Sequence, residues 1–123
     1  MKLVTPSPER TTRTAAAVMT SLATPAVAAT EVSTWQVEVP AGESSPVHTI
    51  DRTQVYLPIS GTLRFTVGEH SEYVGAGQAL VVEAGEQRQF SSGDAPAVAL
   101  VVMPADGAVQ LPDGGRMPLP WAQ

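Results

Sequence analysis

The chain has 123 residues, enough for one domain with a real core and too few for two of ordinary size. With 43% hydrophobic and 15% charged residues it is not a disordered chain, and a net charge of −5 argues against a nucleic-acid partner, which demands a basic face. Having no cysteine, it is without disulfides, thiolate metal sites and thiol nucleophiles, and no apolar run approaches the roughly 20 residues that cross a bilayer.

Residues Met1 to Thr14, with two prolines and many hydroxyls, predict a flexible arm. Lys2, Arg10 and Arg13 precede the apolar stretch Ala15 to Ala23, and Pro25 to Ala29 resembles a small-residue cleavage site. Glu9 in the basic region and Thr20 and Ser21 in the apolar one weaken that match. The favoured reading is a cytoplasmic protein with a first strand around Ala15 to Leu22. Thr34 to Val39 alternates cleanly, with Trp35, Val37 and Val39 on one face, and Pro40-Ala41-Gly42 turns the chain. Gln54 to Ile59 is apolar on both faces, which predicts a strand covered on both sides. Ser60-Gly61 is a tight turn, Leu63 to Val67 the next strand, and Val67-Gly68-Glu69-His70 a hairpin tip. Further strands are predicted around Glu72 to Val74, Gln78 to Val82, Arg88 to Ser91 and Ala97 to Met103. From Asp106 onward the prolines and glycines predict a loop, with Trp121 as its hydrophobic anchor. The prediction is an all-β sandwich or barrel without substantial helix. Residues 1–14 form the arm, 15–104 the barrel and 105–123 a tail packed on it.

The turn and polar spacing resembles that of the cupins. Gly42, His48, Ile50, Gln54 and Gly61 fall at the places of the first cupin motif, and Gly77, Glu83, Gly85, Arg88 and Ser92 at those of the second. His48-Thr49-Ile50-Asp51-Arg52-Thr53-Gln54-Val55 and Pro118-Leu119-Pro120-Trp121 are similar to stretches of small bacterial cupins. The resemblance, covering about Thr34 to Met103, implies a jelly-roll barrel of two antiparallel sheets with a pocket at its mouth. It also implies that the metal-ligand places hold His48, Ile50, Gln54 and Arg88. Ile50 cannot ligate, and a guanidinium has no lone pair to offer and repels a dication. No metal and no other cofactor is therefore expected, unless Glu83, Asp51 or another carboxylate joins in.

His48, Gln54, Tyr56 and Arg88 share the inward parity of their strands, and Ile50 and Phe90 join Leu63 or Phe65 and Val101 or Val102 as apolar walls. This predicts a pocket for a small polar or anionic metabolite: His48 as the catalytic proton shuttle, Arg88 on a carboxylate or enolate, Gln54 orienting it, and Tyr56, Ile50 and Phe90 lining it. Isomerase, lyase or cyclase chemistry fits that equipment. The alternatives are a non-catalytic binding or sensing module, and a metal-dependent cupin enzyme using His48 and Gln54. The competing structural reading takes each of these residues as satisfied core, with Arg88 paired to Glu83, Glu86 or Asp51 for structure alone. Val55, Leu57 and Ile59 face away from the pocket yet are apolar, which predicts a homodimer.

Overall fold

A computed structural model describes residues 1–123 as two antiparallel sheets closed face to face, with a small hairpin at one end. The strands are β1 Thr11–Arg13, β2 Val18–Ser21, β3 Val32–Val39, β4 His48–Thr49, β5 Gln54–Ser60, β6 Thr62–Val67, β7 His70–Gly75, β8 Leu80–Val82, β9 Gln87–Ser91, β10 Ala97–Pro104, β11 Ala108–Gln110 and β12 Arg116–Pro118. The larger sheet runs β1-β2-β3-β10-β5-β8, the smaller β4-β9-β6-β7, and β11-β12 is the hairpin. The only α-helix is the four-residue Pro25–Ala28, so the all-β jelly roll holds. No helix is long and apolar enough to cross a membrane.

The core grows from the long β3–β10 pair, whose register sets Val39 opposite Ala97, Val37 opposite Ala99 and Trp35 opposite Val101. Alternation turns these residues inward, where all are buried. From the smaller sheet Leu63, Phe65 and Phe90 meet them, Phe65 and Phe90 tilted with centroids 5.7 Å apart. Burying each such large side chain contributes roughly 1.5–3 kcal/mol. Gly61, at φ 70°, lies hard against the Pro96 carbonyl, so the β5–β6 turn tolerates no Cβ there.

Two predicted loops carry structure. Within the expected arm Met1–Thr14, Thr11–Arg13 pairs with β2 as the edge of the larger sheet, and Thr11 Oγ1 meets Thr20 Oγ1 at 3.1 Å. The expected C-terminal loop contains the β11–β12 hairpin and a 3₁₀ turn, Pro120–Ala122. Asp51 and Arg52 tie this hairpin to the barrel: Asp51 Oδ1 accepts from the Ala108 N–H at 2.8 Å, Arg116 Nε meets Asp51 Oδ2 at 2.5 Å, and Arg52 holds Asp106 at 2.8 Å.

The outer face of the larger sheet is apolar along β8, β5 and β10. Val55 lies beside Val81 and Val102, and Leu57 beside Leu100. Ile59 is 52% and Val81 57% exposed. A face of this kind with no layer over it marks an interface, and we expect two copies to pair through it. Light scattering at micromolar concentration should give twice the chain mass, and Leu100→Glu should halve it. A monomeric wild type would overturn the pairing.

Candidate functional site

β4, β5 and β9 carry the inward-facing polar residues. His48 stands opposite Arg88 in the β4–β9 register. Gln54 and Tyr56, two residues apart on β5, point the same way. Gln54, Tyr56 and Arg88 are fully buried or nearly so. Gln54 Oε1 is their hub: it accepts from the Tyr56 hydroxyl at 3.0 Å and from Arg88 Nη1 at 2.9 Å. Arg88 also donates through Nε to the Glu86 carbonyl at 2.7 Å and through Nη2 to the Glu83 carbonyl at 2.9 Å. It makes no ion pair with Glu83, Glu86 or Asp51. Instead its guanidinium braces the backbone of the β8–β9 turn, whose other contact with the barrel includes Gly85 N–H to the Ile50 carbonyl.

Electrostatics follow from this burial. Desolvation lowers the Arg88 pKa, against the opposing influence of Tyr56 and Glu86. Burial pushes the Tyr56 phenol well up, only partly countered by the Arg88 charge, so it stays protonated. His48 is held below the ordinary imidazole value, chiefly by desolvation and additionally by the Arg88 charge; its bond to Pro46 acts the other way. That bond also settles the tautomer. Nδ1 lies 2.8 Å from the Pro46 carbonyl, which can only accept, so Nδ1 carries the proton and Nε2 presents its lone pair. Nε2 has no partner in the protein.

A cavity of about 50 Å³ opens beside this network. His48, Gln54 and Tyr56 are its polar lining, and Ile50, Phe90 and Val101 line it as the parity predicts. Arg88 is absent from the wall. It sits behind Gln54 with one donor of each guanidinium nitrogen bonded to a protein oxygen, because the turn carbonyls of Glu83 and Glu86 lie within its reach. Val102 faces outward, and Phe65 packs behind Tyr56 with ring centroids 4.6 Å apart. The sequence reading missed four lining residues, Met19, Trp35, Val37 and Leu119; Trp121, expected only as an anchor, is a fifth. The alternation of β3 could have pointed to Trp35 and Val37. No local pattern signals that the tail reaches the barrel mouth.

The donor set does not fit a divalent metal. Gln54 Oε1, the oxygen at a ligand place, already takes two donors, one of them cationic, and a dication there would sit against the guanidinium. Ile50 offers no donor, and no three His, Asp or Glu side chains gather anywhere in the chain.

A two-sheet jelly roll with ligand-place residues around an internal cavity defines the cupin class. The Cupin domain family model matches residues 35–103, and the chain belongs to that family. No curated protein matches it. Among solved structures it is similar to the polyketide cyclase RemF from Streptomyces resistomycificus, at 21% identity and TM-score 0.69 over 94% of this chain and 77% of that one. A cupin-2 domain from Rhodospirillum rubrum is similar at 16% identity and TM-score 0.72, over 89% and 75%. The DMSP lyase DddQ from Ruegeria pomeroyi is similar at 18% identity and TM-score 0.65, over 91% and 62%.

Proposed function

We propose that this cupin binds a small, largely apolar organic molecule carrying one weakly acidic group, without a metal, and that His48 Nε2 accepts that group's proton. The carrying observation is the free Nε2 lone pair of a neutral imidazole at the wall of a mostly apolar cavity, whose other polar groups, Gln54 and Tyr56, are already hydrogen-bonded to each other. The anion cradle expected at Arg88 gives way to this reading because each guanidinium nitrogen already bonds Gln54 or a turn carbonyl and Arg88 does not line the cavity. Acid–base isomerase, lyase or cyclase chemistry suits a positioned base beside apolar walls. Structures of the same fold include a cyclase and a lyase.

Trp35 and Trp121 both line the cavity and so report binding by fluorescence. In a panel of phenols, aliphatic alcohols, carboxylates and sugar phosphates, we expect phenols alone to quench saturably, and His48→Phe to weaken them about tenfold, one hydrogen bond's worth. Elemental analysis of untagged protein should find no stoichiometric transition metal. Preference for phosphates, or a full metal equivalent that survives chelation, would overturn the reading.

A further inference from the structure

The cavity is too small for the ligand class its walls suit. At about 50 Å³ it falls well short of the roughly 150 Å³ that takes up benzene. Most of its wall belongs to the barrel strands or to Ile50 just beyond β4, and those strands are locked in ladders. Leu119 and Trp121 are the exception: they come from the tail and close the mouth from outside.

The tail's attachment is uneven. The β11–β12 hairpin is clamped by Asp51, Arg52, Asp106 and Arg116. Beyond Pro118 no ladder continues. The Pro120–Ala122 turn packs on the core through Leu119 and Ala122, and its hydrogen bonds are its own Ala122 N–H to Leu119 carbonyl bond and two from hydroxyls: Ser21 Oγ donates to the Trp121 carbonyl at 2.7 Å, and Ser33 Oγ donates to the Ala122 carbonyl. Seating the indole also leaves Trp121 Nε1 buried with no acceptor, which disfavours the closed arrangement because a buried donor without an acceptor loses its water bond and gains nothing.

We propose that the Leu119–Ala122 segment is a displaceable plug: Trp121 fills the space that a ligand ring takes, and Leu119 and Trp121 set the ring size admitted. The plug rests on the pocket reading above and adds the route in. Ligand binding swings the indole outward, its N–H regains a water, and the clamped hairpin stays in place as the fixed side of the hinge.

The test uses 2-naphthol, a fused-ring phenol too large for the closed cavity, on the full chain labelled with 5-fluorotryptophan. Trp35 and Trp121 give two fluorine resonances. Wild type should bind weakly, with the Trp121 resonance moving towards its solvent-exposed position. Ser21→Ala with Ser33→Ala, which loosens the plug without touching the cavity wall, should bind about tenfold more tightly, since apparent affinity scales with the fraction of open protein. Trp121→Ala should bind at least as tightly as that pair. If the latch variant and wild type bind equally and the Trp121 resonance stays put, the plug is overturned and the pocket stands. If 2-naphthol binds none of them, Trp121→Ala included, the pocket reading itself fails and takes the plug with it.

Discussion

Arg88→Ala should lower unfolding stability by about 3–5 kcal/mol in urea titration, the range for removing a large buried side chain and stranding its partners. The guanidinium is completely buried, so its loss leaves a void. It also removes the bonds to the Glu83 and Glu86 carbonyls that fix the β8–β9 turn, leaving the Glu83 carbonyl only the Glu86 N–H, and a net hydrogen bond is worth about 0.5–1.5 kcal/mol. Gln54 Oε1 would keep only the Tyr56 hydroxyl. Arg88→Lys should recover little, because one ammonium cannot reach in the three directions the planar fork spans. An Arg88→Ala protein of wild-type stability that had lost ligand affinity would return the guanidinium to the ligand.

Ligand affinity should be flat above pH 6.5 and fall at acid pH, by about tenfold per pH unit below the depressed His48 pKa, because protonation removes the Nε2 lone pair. An anionic ligand would show the opposite slope, gaining from the imidazolium, so one pH series of titrations decides between them. Stability carries the same signature. With the folded pKa below the unfolded 6.5, the unfolded chain binds more protons as pH falls, so His48 costs stability below 6.5 and nothing above it. A second loss comes lower. Burial would raise the Asp51 carboxyl, but its bonds to Arg116 and the Ala108 N–H and the charges of Arg116 and Arg52 outweigh that and hold it below 3.8. The Arg52 hydrogen bond holds Asp106 down in the same way. Both contribute stability that is complete above 3.8 and lost as pH falls through their lowered values, loosening the hairpin first. A melting temperature unchanged from pH 7 to pH 5 would remove His48 from the buried, neutral state.

Strand parity and turn spacing made much of this protein legible in advance. Alternation over Thr34–Val39 placed Trp35, Val37 and Val39 inward, and all three are buried. The glycines at 42, 61, 77 and 85 sit at positive φ, the turn conformation their spacing implied. Parity also put His48, Gln54, Tyr56, Arg88, Ile50 and Phe90 inside, and Val55, Leu57 and Ile59 outside. These features are local: a side chain's face follows from its place in the pleat, and a glycine's role from the turn it occupies. Parity says which side of a sheet a residue takes, but not how deep it lies or which oxygen it meets. Only the tertiary structure decided that Arg88 turns to the carbonyls of Glu83 and Glu86, that Asp51 faces Arg116, and that Trp121 closes a mouth formed in part by residues a hundred positions earlier. Such contacts depend on how the two sheets curve against each other and where the tail crosses them, and no window of sequence contains that information.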